Sequence, residues 1–174
     1  VETKNKSSRE QLYEVVKESW TFLRSNKRAR KMMITNALVG AVSTLVLFFL
    51  QAKLPLAGLD SALLGPALFM MGLGAAAGAK ISQYFSGSSY VRMLLASGVG
   101  VLFAFGMTFT GRPYLMILGG FVGALSDDFL EVRTDVLLNE MIPSGQRATL
   151  ISVSSFLFSV VMIVMSTLIG WIMG

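Results

Sequence analysis

Five stretches of seventeen to twenty-five mostly apolar residues, joined by short polar or Gly/Pro-marked segments, constrain this chain more than any other feature. They are Met32–Leu50, Ser61–Ile81, Val91–Met107, Tyr114–Leu138 and Leu150–Met173. A helix rising 1.5 Å per residue needs about 20 such residues to cross a ~30 Å hydrocarbon layer, so each run predicts a membrane span. Runs such as LVLFFL and VVMIVM are apolar on every side, whereas strands of a membrane barrel alternate in polarity. The expected fold is all-α, a polytopic transmembrane bundle of five antiparallel helices. The connections, with Pro55 and Gly58, SGSS, TGRP and IPSGQ, read as tight turns.

Charge supports the same reading. Only 14% of the 174 residues are charged, and nine of the fifteen Lys/Arg lie in residues 1–31. That basic head precedes a body holding six basic and six acidic residues. Beside an apolar span, basic residues set topology, so the net charge of +5 does not argue for a nucleic-acid partner. A cytoplasmic head collects its own nine cations plus Lys80, Arg92 and Arg147 on one side, and leaves Lys53 and Arg112 on the other. This predicts a multi-pass plasma-membrane protein with a cytoplasmic N-terminus and an external C-terminus. Within the head, Leu12, Val15, Val16, Trp20, Phe22 and Leu23 recur at helical spacing. The resulting amphipathic helix has two expected positions, in the headgroup layer or packed on the cytoplasmic face of the bundle. The head, 1–31, and the membrane domain, 32–174, are the two expected units. Val1 and the absence of a recognisable signal peptide suggest a piece of a longer product.

The chain has no Cys and no His, which excludes disulfides, thiol nucleophiles, imidazole relays and the usual His- or Cys-built metal sites. No cofactor, metal or enzymatic activity is expected, and proton chemistry must run on carboxylates. Two segments carry a resemblance. YEVVKESWTFLRSNKRARKMM (Tyr13–Met33) is similar to the central cytoplasmic linker helix leading into the seventh span of major facilitator superfamily transporters. LLNEMIPSGQRATLISVSSF (Leu137–Phe156) resembles their tenth-to-eleventh span connection. GAKISQYFSGSSYVRM (Gly78–Met93) stands where the family carries a second copy of its gating motif, keeping Gly78 and Lys80 but lacking the Asp and the Arg cluster. The resemblance, to bacterial multidrug or siderophore exporter-like members, implies spans seven to eleven of twelve. It also implies an N-terminal six-helix half and a final helix as partners, and proton-coupled efflux of small amphipathic compounds by alternating access, a transport the five spans do not perform alone. A self-contained small membrane protein serving as an assembly or regulatory subunit is the alternative.

The fourth span carries the candidate site. Asp127 lies about 20 Å along it from Tyr114 and Glu131 about 26 Å. Asp127, Glu131 and Asp135 are spaced i, i+4, i+8, with Asp128 three residues before Glu131, so these acids share one broad face. Like charges on one helix face repel, and a low dielectric disfavours ionising them all. Asp127, Asp128 and Glu131 are therefore candidates for proton coupling or for attracting a cationic substrate. Lys80, Arg92, Arg133 and Asp135 are candidates for gating ion pairs at the inner end. Arg133 has no acidic neighbour at helical spacing, so its partner must lie on another segment. Gly74-xxx-Gly78 and Gly119-xxx-Gly123 are expected helix-packing sites. Gly65-Pro66 predicts a kink, and Ser152, Ser154, Ser155 and Ser159 either line a path or bond their own helix.

Overall fold

The computed structural model describes Tyr13, Lys17 and residues 20–173. Most of the head, including the greater part of its expected amphipathic helix, lies outside the described residues. Five long helices follow: α1 (Lys27–Leu56), α2 (Ser61–Ser82), α3 (Tyr90–Met107), α4 (Pro113–Met141) and α5 (Arg147–Met173). Single 3-10 turns, Gln83–Phe85 and Ser144–Gln146, adjoin α2 and α5, and no strand occurs among the described residues.

Local chemistry sets the boundaries. The Asn26 side chain accepts a hydrogen bond from the Ala29 N–H at 3.1 Å and opens α1. Asp60 does the same for α2 through the Ala62 N–H at 2.8 Å. Pro113 occupies the first turn of α4, where its missing N–H costs nothing. The turns before α2 and α4 place Gly58 at φ 92° and Gly111 at φ 62°, conformations that a Cβ disfavours. Extended Ile142, ahead of Pro143, ends α4. Gln51–Asp60 is only partly a connection: α1 runs through Pro55 to Leu56, because a proline near the end of a long helix forfeits one hydrogen bond without stopping the chain. Pro66 likewise sits inside a continuous α2.

Helix α4 is the centre of the bundle. It shares its most extensive interface with α2, then with α3 and α1, whereas α5 packs chiefly on α1. Antiparallel order follows from the apolar clusters. Leu50 and Leu54 of α1 meet Ala67 and Met71 of α2, Ala104 of α3 and Met116 of α4 at one end. Met32 and Met33 meet Leu138, Ile142 and Leu150 at the other. Leu23 is buried in this second cluster and Phe22 packs against it, so the described end of the head rests on the bundle, while Trp20 stands exposed. That end also carries Lys27, Arg28, Arg30, Lys31, Lys80, Arg92 and Arg147.

Apolar surface faces outward on the peripheral helices. Phe69, Val99, Leu102, Phe156 and Ile163 are each about two-thirds exposed. A surface this apolar requires an apolar solvent. Helices α1, α2, α3 and α5 are long and apolar enough to cross a membrane, which marks the chain as a membrane protein. Helix α4 is absent from that set, because its C-terminal half carries the acids that the other helices lack.

Candidate functional site

The two faces of α4 are built differently. Toward α2 and α3 the contact is backbone-close. Gly74 and Gly78, one helical turn apart, press against the carbonyls of Phe121 and Leu125, leaving no space for a Cβ at either glycine. Gly119 and Gly123 receive Met107 and Ala104 of α3, and Gly100 receives the Ser126 hydroxyl, which donates to the Val122 carbonyl at 2.7 Å. Both small-xxx-small motifs therefore pack helices, as their spacing indicates.

Toward α1 and α5 a cleft of about 470 Å³ opens. Its floor is one stripe of α1, with Met33, Asn36, Ala37, Gly40 and Thr44. One wall carries Asp127, Glu131 and Asp135 of α4; the other carries Ser154, Ser155, Phe158 and Ser159 of α5. Gly40 makes the midpoint narrow enough to bring elements together: Asp127 Oδ1 and the Phe158 ring both lie 3.4 Å from where its Cβ would stand. The i, i+4, i+8 spacing thus becomes a line of carboxylates down a single wall. Asp127 is half-buried at the level of Gly40, between the two apolar clusters, and Glu131 and Asp135 become progressively nearer the basic end and are exposed.

Asp128 is half-buried but outside the lining, one residue being a 100° turn around the helix. Lys80 and Arg92 are exposed and also outside it. Among the described residues lining the cleft none is basic. Arg133 points the other way. It is buried, and its guanidinium donates to the Ser86 carbonyl at 3.2 Å, tying α4 to the α2–α3 turn, while its Nε has no partner. The partner required on another segment is a backbone carbonyl.

Hydroxyl chemistry completes the cleft. Ser155 donates to the Ile151 carbonyl and Ser159 to the Ser155 carbonyl, so both spend their protons on their own helix and present lone pairs elsewhere. Ser152 is held in the same manner by the Ala148 carbonyl. Ser43, almost fully buried on α1 behind the cleft lining, stands within hydrogen-bonding reach of Asp127. The Asn36 Oδ1 on the floor is buried without a partner. The described lining of the cleft thus combines three carboxylates with hydroxyl and amide groups and no basic side chain.

Tyr90 is a residue that sequence reasoning missed. From the start of α3 its hydroxyl donates to the Met32 carbonyl at 3.3 Å, accepts from Thr134 of α4 at 3.3 Å and stands 3.1 Å from the Thr35 hydroxyl. Three helices meet at this one oxygen on the basic end. No spacing signal announces it, because the partners are 44 to 58 residues away.

The fold and cleft define a helical membrane protein with an acid-lined groove open beside its central helix. No family model, curated protein or solved structure matches the chain. The resemblance to the major facilitator superfamily accordingly rests on the quoted sequence segments alone.

Proposed function

We propose that this chain forms one wall of a secondary active transporter of the major facilitator kind, exporting small amphipathic compounds in exchange for protons. The observation that carries the reading is the placement of Asp127, Glu131 and Asp135 along one cleft wall with no basic residue in the described lining. Acids at membrane depth are expensive, and they mark ion and substrate pathways. In this reading α4 is a fifth crossing, shielded from lipid by α1, α2 and α3. The basic end lies in the cytoplasm of a plasma-membrane protein, in keeping with the distribution of Lys and Arg. Asp127, at the level of Gly40, is the coupling carboxylate. Glu131 relays protons or attracts substrate toward the inner mouth. Asp128, off the cleft, acts with a facing bundle, and Lys80 and Arg92 serve as inner-end gating charges. The other wall comes from a further helical bundle, against which this one rocks.

The test is flux through the complete gene product in sealed vesicles with an imposed pH gradient. Gradient-driven efflux that Asp127→Asn abolishes, with protein level unchanged, supports the assignment. Flux indifferent to the gradient removes proton coupling, and no flux of any amphipathic substrate removes the transporter reading.

A further inference from the structure

A buried positive charge lies beneath the turn between α2 and α3. Arg133 is 6% exposed, and its one hydrogen-bond partner among the described residues is the Ser86 carbonyl at 3.2 Å. Its Nε is enclosed without an acceptor. Glu140, the next acid on that face of α4, stands about 10 Å further along the helix. A buried guanidinium satisfied by a single neutral carbonyl is costly, and a bound anion supplies both acceptors and counter-charge.

The turn above it offers donors on its outer side. Residues 86–89 read Ser-Gly-Ser-Ser and lead into α3, eighteen residues long. No side chain caps this helix, and the amide of Met93 is the one that bonds back to the Ser89 carbonyl, at 3.2 Å. The amides of Tyr90, Val91 and Arg92 are thus left for an acceptor from outside the helix, at the end where the helix dipole favours negative charge. Arg92 belongs to that first turn and Lys80 to the last turn of α2, and both are exposed. The turn is held in place. Phe85 packs edge-on against Phe129 of α4, with ring centroids 5.4 Å apart and one helical turn before Arg133, and the Ser88 N–H donates to the Phe85 carbonyl at 3.0 Å. Location narrows the ligand. Helices α2 and α3 are both long and apolar enough to cross a membrane, and a turn joining two such helices falls among lipid headgroups. Tyr84, 77% exposed beside the turn, is an aromatic of the kind enriched at that interface.

We propose that residues 86–92 and Arg133 form a site for a phosphate group, supplied by the headgroup of an anionic phospholipid. The first amides of α3 and the Arg92 side chain hold the phosphate oxygens, and Arg133, beneath the turn, provides the buried counter-charge. The site is separate from the acid-lined cleft, from which Arg133 points away, and is independent of the transport reading.

Native mass spectrometry of the purified chain, released from neutral detergent micelles containing dioleoylphosphatidylglycerol, tests it. Dioleoylglycerol, with the same tails and no phosphate, is the comparison lipid. One phosphatidylglycerol is expected to be retained at about tenfold lower concentration than dioleoylglycerol, charge-assisted hydrogen bonds being the strong ones. Arg133→Leu and Gly87→Asp each weaken that retention about tenfold. Gly87 has open space where a Cβ would stand and no positive φ, so the aspartate fits and acts by repelling the phosphate. Arg112→Gln, an exposed cation at the other end of the bundle, leaves retention unchanged. Amide exchange across residues 86–92 slows when phosphatidylglycerol is added to the unaltered chain and does not slow in Gly87→Asp, a readout that simple loosening of the turn does not reproduce. Equal retention of the two lipids, or equal phosphatidylglycerol retention by the unaltered chain, Arg133→Leu and Gly87→Asp, overturns the proposal. Displacement of the lipid by an equal concentration of sodium phosphate keeps the phosphate site and overturns the lipid as its source.

Discussion

The two sides of α4 offer a comparison within one helix. On the side of α2 and α3, glycines let backbones touch, side chains such as Met71 and Ala104 are buried, and no room is left for solvent. On the side of α1 and α5, the same helix presents a line of acids to an open cleft. The difference teaches how the central helix of an apolar bundle can carry a line of charges. Dispersion and close backbone approach fasten the helix on its dry side. The other side is thereby free to carry groups that contribute nothing to packing. Helix α5, resting chiefly on α1, closes the cleft without filling it.

Breaking the dry side has the largest expected effect. In Gly78→Leu the new side chain must displace the Leu125 carbonyl, a backbone atom that cannot rotate away. Overpacking costs about 1–3 kcal/mol where side chains can yield and more where backbone must move, so thermal unfolding in detergent should show severe loss of stability. Gly72→Leu, with open space at its Cβ position, is the control and should be close to neutral.

Solvent access distinguishes the sides next. Because the chain contains no Cys, single replacements report one site each. Ser154→Cys in the cleft wall is expected to react with a water-soluble maleimide roughly tenfold faster than Ala104→Cys, buried between α3 and α4, since thiol reactivity follows access. Equal rates would dissolve the contrast.

The basic end ties both sides together through Tyr90. Tyr90→Phe deletes the hydroxyl shared by Met32, Thr35 and Thr134, at an expected cost of about 1 kcal/mol, read as a lowered unfolding midpoint. Arg133→Leu removes the guanidinium from the Ser86 carbonyl but also relieves a buried charge whose Nε is unpaired, so its net effect on global stability is small. Its signature is local, faster amide exchange in residues 83–89. Smallest of all is Asp135→Asn. An exposed acid at the cleft mouth contributes little to folding, and the unfolding midpoint should stay within the effect of about 0.5 kcal/mol typical of surface changes.

How much of this was readable from the chain differs by feature. The helices are, because runs of apolar residues with turn signals between them admit few other structures in lipid, and the expected ends fall within a few residues of those observed except at Gln51–Leu56 and Met32. There, helix continues beyond the apolar run, since backbone hydrogen bonding does not stop where hydrophobicity does. The acid stripe is half readable. Spacing places Asp127, Glu131 and Asp135 on one face, but their separation from Asp128 depends on where the cleft edge falls. The pairing of Arg133 with a main-chain carbonyl 47 residues away has no sequence signature at all.

The amino-acid order alone thus determined the all-helical architecture, the close-packing glycines and the common face of three carboxylates, because each follows from periodicity within a single helix. Only the tertiary structure decided that α4 sits at the centre, that its acids look toward α1 and α5, and that Tyr90 and Arg133 fasten the basic end. Those choices depend on which helix faces which, and the contacts that settle them join residues far apart in the chain.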